Sequence, residues 1–209
     1  GEQVAIAVAP SIAVAAQVLA RPAPVVVAPL VLADTQRLVH ASQEADALWR
    51  LFPCARVETD DGASGETLRQ LGLSADSIHL ACHGVFRSDN PAFSALELAD
   101  GNFSALDAEK LGLGNALVVL SACDSGVATE AEGDEVFGLV RAFLSGGASR
   151  VLASLWPVDD ETTVDWMTAF YRALQSGATP TGASQLAQRA VREQHAHPFH
   201  WAAFATFGG

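Results

Sequence analysis

At 209 residues, half of them hydrophobic, the chain is long enough for one domain with a sizeable buried core. Its formal net charge of −12, with Lys110 the only lysine, leaves no basic surface for nucleic-acid phosphates or an anionic membrane. Three cysteines, Cys54, Cys82 and Cys123, form no disulfide framework and point to a reducing, cytoplasmic setting.

The opening stretch Gly1–Pro22 is apolar, but it lacks a basic leader, and Pro10-Ser11 interrupt it before about 18 apolar residues accumulate. A strand over Val4–Ala9 and a helix from Pro10-Ser11 to about Ala20 fit better than a signal peptide or membrane span. Gly1 in place of Met reads as the start of a piece excised from a longer chain, expected to form one domain over residues 1–209.

Val25–Leu32 reads as a fully buried strand, followed by an amphipathic helix over His40–Phe52 that Pro53 ends. Ala41, Ala45, Leu48 and Leu51 share its apolar face, with Glu44 and Asp46 expected elsewhere. Ala55–Glu58 is a short strand and Gly65–Leu71 a short helix. The apolar run Ser77–Gly84 (SIHLACHG) then ends in His83 and Gly84, and Ala95–Phe103 has the shape of a hairpin around Asp100-Gly101-Asn102.

Leu106–Leu111 is a short helix, and Asn115–Gly126 (NALVVLSACDSG) is a second apolar run, ending in a turn that holds Cys123. Val136–Leu144 is a helix stopped at Gly146-Gly147, and Arg150–Leu155 a further buried strand. Helices over Thr162–Leu174 and Ala183–Gln194 and a last strand over Trp201–Phe207 complete the chain. Strands alternating with helices predict an α/β sandwich around a mostly parallel sheet.

Chemistry in such sheets gathers at the carboxyl ends of the strands. His83 and Cys123 stand at two such ends, 40 residues apart (83 to 123), which leaves room for a crossover between parallel neighbours. If the strands are neighbours, their ends lie about 5 Å apart, so an imidazole can take the thiol proton. Gly84, without a Cβ, lets its N–H approach a developing oxyanion, and the Cys123 N–H is a second donor. Cys82, inside its strand, is expected to pack. A metal reading fails on geometry, because His79 and Cys82, like Cys82 and His83, alternate between strand faces. No cofactor is implied, and His195, His197 and His200 read as a structural loop.

LACHGVF with SACDSG, then GDEVFGLVRAFLSGGASRVLASLWPVDDETT and HPFHWAAF, resembles the CHAT domain from about Val25 to the C-terminus. This is a family of caspase-like cysteine peptidases often attached to tetratricopeptide repeats. The resemblance implies a caspase-like three-layer sandwich with His83 as general base and Cys123 as nucleophile. It also implies a protein or peptide substrate, bacterial regulated proteolysis or defence, and control by upstream repeats or a partner protein.

In related metacaspases an acidic residue two positions before the cysteine helps bind a basic substrate side chain. Ser121 occupies that position here, so Arg/Lys selectivity does not carry over. By analogy with caspases, Ser154–Asp160 builds the substrate pocket, making Ser154, Trp156 and Asp159 cleft candidates alongside Ser121. The acidic segment Ala128–Glu135 is expected to act as a switch. Two rivals are weighed against the peptidase. One is a catalytically idle caspase-fold interaction module. The other is a small-molecule hydrolase or acyltransferase, which no G-x-S-x-G elbow supports.

Overall fold

The computed structural model describes residues 5–85, 87, 90–121, 136–157 and 160–208. The expectations for Cys123, Asp159 and Ala128–Glu135 therefore lie outside the described residues. In chain order the elements are β1 (Ala7–Val8), α1 (Ile12–Leu19), β2 (Leu30–Ala33), α2 (Ala41–Leu51), β3 (Arg56–Thr59), α3 (Gly65–Leu71) and β4 (Ser77–Ala81). There follow β5 (His83–Val85), β6 (Ala95–Leu98), β7 (Gly101–Ser104), α4 (Ala105–Ala108) and β8 (Leu117–Leu120). The chain continues through α5 (Val136–Ser145), β9 (Arg150–Ser154), α6 (Asp160–Gln175), α7 (Pro180–Gln194), α8 (Pro198–Trp201) and β10 (Phe204–Phe207).

Seven strands form the central sheet in the order β1-β10-β9-β8-β4-β2-β3. Among the described residues, its β9–β10 pairing is antiparallel and its other pairings are parallel. Each strand side chain goes to one of two cores because the strand period is two. Leu30, Leu32, Ile78, Leu80, Val118 and Leu120 pack with α1, α3, α4 and α5 through Val18, Leu68, Ala108 and Phe143. Val31, Ala81, Leu117, Val119 and Leu152 pack against α2, α6 and α7 through Leu48, Trp166, Phe170 and Ala187. Burying a Leu, Val or Phe side chain in this way stabilises by about 1.5–3 kcal/mol. The result is the expected sandwich: helices, sheet, helices.

Three local differences have identifiable causes. Val25–Leu32 yields a strand only from Leu30 on, and Val25 and Val27 are exposed. Pro29 has no N–H for a ladder, and the Asp76 carboxylate accepts the Val27 and Ala28 N–H groups, each at 2.8 Å. The expected last strand splits, because His197 caps a short helix with Pro198 at its first position before β10 begins. The SIHLACHG run also divides. β4 stops at Ala81, and His83 opens a separate antiparallel sheet, β5-β6-β7.

Helix ends follow from side-chain caps. The Ser11, Ser64 and Thr179 side chains each accept an N–H at the start of their helices, and Ser104 and Asp107 form a reciprocal capping box. At the end of α5, Gly147 has φ +107° and a Cβ there would collide with the Leu113 carbonyl, so only glycine fits.

The turn between β6 and β7 caps α3 from outside: Asp100 accepts the Gly65 N–H at 2.7 Å and the Glu66 N–H at 3.1 Å. Partial burial opposes ionisation of Asp100, but these N–H groups and Arg69 outweigh it and hold its carboxyl below the ordinary range. Because folding lowers this pKa, the gain is complete above the unfolded carboxyl value and is lost as pH falls through the folded one. Asp100→Ala is accordingly expected to cost about 1 kcal/mol at neutral pH, as loss of a cap does. In urea titrations that difference is full above about pH 4 and shrinks progressively as pH falls below it. A cost unchanged in acid would rule out the charge as its source.

Candidate active site

β4 and β8 are hydrogen-bonded parallel neighbours, and their register joins residues 40 apart, from Ser77 opposite Leu117 to Leu80 opposite Leu120. That is the same interval that separates His83 from Cys123. The Ser121 N–H continues the ladder to the Leu80 carbonyl at 3.0 Å. Thus the chain leading to His83 and the chain leading to Cys123 leave the sheet side by side, at its carboxyl end.

His83 begins β5 directly opposite Glu97 of β6, and Gly84, which is buried, lies opposite Leu96. The His83 ring is half-buried. Its Nδ1 is shielded from solvent, and no hydrogen-bond partner meets it among the described residues. An imidazole with an uncommitted nitrogen can exchange a proton with a thiol or a leaving amine.

Beside this corner lies a cavity of about 300 Å³ lined by Asp34, Arg37, Asp60, Asp61, Cys82 and Glu97. Arg37 is its hub, with Nε paired to the Asp34 carboxylate and Nη1 to Glu97 Oε2 at 2.7 Å. The pairing ties the end of β2 to the strand facing His83. Cys82 borders the cavity but is buried as expected. Burial first, and then the Asp34 charge, pushes its thiol up to about 12, so it is no nucleophile near neutrality. Cys54 is exposed and free.

The substrate-side candidates divide. Ser154 closes β9 opposite Phe204, and the next residue, Leu155, donates to the Ala203 carbonyl at 2.8 Å. The half-buried Trp156 donates its indole N–H to the Phe199 carbonyl at 3.0 Å. The SLWP and HPFHWAAF motifs thus meet in space, with the strap after β9 held against α8 and the segment before β10. His197 serves as the α8 cap, and the His195 and His200 rings lie 5.0 Å apart. Those histidines are built into the strap's support.

Ser121 is not presented to a cleft. It is 5% exposed, and its Oγ donates to Glu44 Oε2 at 2.7 Å. The same carboxylate oxygen meets His79 Nε2 at 3.1 Å, and His79 Nδ1 meets the Tyr171 hydroxyl at 3.2 Å. Burial pushes the Tyr171 phenol up, so it stays a hydroxyl and can donate. With Glu44 accepting, the imidazole carries its proton on Nε2 and accepts from Tyr171 on Nδ1. Glu44 therefore lies on the buried face of α2, not away from it. The helical spacing signals this, since 41, 44, 45 and 48 follow the i, i+3, i+4, i+7 pattern of a single face.

A family model, the CHAT domain, matches residues 1–209. The chain belongs to the CHAT-domain family. The match begins at residue 1, upstream of the Val25 start suggested by the motifs. This CHAT domain is similar to human (Homo sapiens) tetratricopeptide repeat protein 28, with 31% identity over 193 residues, covering 85% of this chain and 8% of the relative. The mouse (Mus musculus) protein of the same name is 36% identical over 111 residues, which is 50% of this chain and 4% of that protein. The chain therefore spans under a tenth of these curated relatives.

Among solved structures, the Saccharomyces cerevisiae separase–securin complex matches with a TM-score of 0.68 at 16% identity, covering 99% of this chain and 14% of the matched one. The Arg-specific cysteine proteinase gingipain R matches with a TM-score of 0.62 at 14% identity, over 87% of this chain and 46% of that one. A complex of the Porphyromonas gingivalis RgpB pro- and mature domains gives 0.60 at 12% identity, covering 87% and 47%. The fold of this CHAT domain is caspase-like. Among the described residues, no helix is long and apolar enough to cross a membrane.

Proposed function

We propose that this CHAT domain, taken as one unit over residues 1–209, is a cysteine endopeptidase acting through His83 and Cys123. The observation that carries the reading is the β4–β8 pairing, in which residues 40 apart stand opposite each other at the exits toward the two side chains. Cys123 follows Ser121 by two residues, a tether of about 7 Å at full extension.

In this mechanism the Cys123 thiol gives its proton to His83, and the thiolate attacks the scissile carbonyl carbon. The Gly84 and Cys123 N–H groups take the oxyanion. The C–N bond breaks as the imidazolium returns the proton to the leaving amine, and water then hydrolyses the thioester. Ser154, Trp156 and Asp159 would contact the substrate. The free thiols of Cys54 and Cys82 support a reducing, cytoplasmic compartment.

The setting we propose is regulated proteolysis, with a tetratricopeptide-repeat region or a partner protein controlling access. Support for this comes from the relatives' names and from the separase complex, solved with securin. The bacterial circuit suggested by the motifs is part of this proposal, although the curated relatives are mammalian.

A peptide-library cleavage profile run beside an ester substrate tests the reading, with Cys123→Ala as control. Peptide cleavage abolished by Cys123→Ala is expected. Ester turnover alone would favour the small-molecule hydrolase, and partner binding without any turnover would favour the idle module. Trp156→Phe keeps an aromatic side chain but loses the indole bond to Phe199. Such a bond contributes about 0.5–1.5 kcal/mol net, so KM is expected to rise about two- to tenfold. An unchanged KM would remove the strap from the substrate site.

A further inference from the structure

We infer that Glu44 is a positioning residue of the peptidase centre, holding through Ser121 the exit of the strand that carries the nucleophile. The inference rests on the peptidase reading above and adds a residue from α2, on the opposite side of the sheet from the small β5-β6-β7 sheet.

Ser121 is fixed twice. Its N–H is bonded to Leu80 of β4, and its hydroxyl is bonded to Glu44 of α2. Leu80 is three residues before His83, and Ser121 two before Cys123. A single bonded pair therefore sets where both catalytic segments leave the sheet. The backbone and side-chain bonds together hold Ser121 at two points, one on β4 and one on α2.

Glu44 is itself held from behind. His79, fully buried in β4, faces its Oε2, and Tyr171 of α6 holds the other side of the imidazole. The carboxylate thus joins α2, β4 and β8 at one point, with α6 as backing. Stability alone gives little reason for such a group, because buried ionisable networks can often be replaced by apolar side chains of similar volume without loss. Geometry gives a better one. A displacement of about 1 Å in a reacting group can cost about a hundredfold in rate.

The test reads alkylation of Cys123 by iodoacetamide at pH 6, with the exposed Cys54 as an internal reference in the same molecule. Thiolate formation beside an imidazole makes Cys123 the faster site in the unaltered protein. Two variants are compared: Ser121→Ala, and an apolar replacement of three of the network's four polar groups, Glu44→Met with His79→Leu and Ser121→Ala. Thermal midpoints and near-ultraviolet circular dichroism report folding separately.

For the triple variant we expect a midpoint above that of Glu44→Ala and a Cys123 advantage reduced about tenfold or more, equivalent to 1.4 kcal/mol. Ser121→Ala is expected to reduce it about threefold or more, a smaller perturbation that carries the test if the triple variant does not fold. An undiminished advantage in folded variants would overturn the positioning role and leave the peptidase reading standing. No advantage in the unaltered protein would overturn that reading, and the inference with it.

Discussion

Under the proposed peptidase mechanism, His83→Ala is expected to lower kcat/KM for peptide cleavage by about 10²–10⁴-fold, the range over which a positioned general acid–base acts. The thermal midpoint is expected to move little. His83 is only half-buried, its Nδ1 engages no described residue, and strand pairing with Glu97 uses the backbone. Removing the ring therefore deprives no described residue of a hydrogen-bond partner, and catalysis and stability are expected to separate. Steady-state kinetics beside calorimetry reads both. A rate within tenfold of the unaltered protein would remove His83 from the chemistry, and a collapse of the midpoint would mark it as structural.

Glu44→Ala has the opposite signature. His79 and Ser121 both bond the Glu44 carboxylate in a site closed to water, so its removal leaves two buried polar groups without their partner. Leaving a buried neutral donor unsatisfied costs about 1–3 kcal/mol, so the two together cost about 2–6 kcal/mol. For a chain of this size the melting midpoint is expected to fall by roughly 4–24 °C. Replacing Glu44, His79 and Ser121 together leaves only the Tyr171 hydroxyl without its imidazole partner, so most of the network's cost lies in its partial loss. Urea denaturation of the single and triple variants measures the contrast. A single variant as stable as the parent would show that the site relaxes or admits water.

The architecture was legible wherever burial was two-sided. The apolar runs at Ile78–Ala81, Leu117–Leu120 and Val151–Ala153 became central strands, because residues buried on both faces leave a continuous hydrophobic signature. The 40-residue interval between His83 and Cys123 proved to be the register interval of β4 and β8, although spacing alone did not make those strands neighbours. Less legible was whatever long-range polar bonds decide. Asp76 diverting Val27 and Ala28 from the ladder involves partners 49 and 48 residues apart. Ser121 facing Glu44 is a contact over 77 residues, and it turns an expected substrate contact into a core one. Glu44 itself was readable from its place in the apolar stripe of α2. A carboxylate there demands a buried donor, and His79 within an otherwise apolar run was the matching signal.

The most direct measurement of the proposed dyad is mass spectrometry of the intact domain after incubation with an electrophilic peptide probe. One adduct, mapped to Cys123 and lost in His83→Ala, is the expected result. Modification at Cys54 alone, or labelling of Cys123 at the same rate with and without the His83 imidazole, would contradict it.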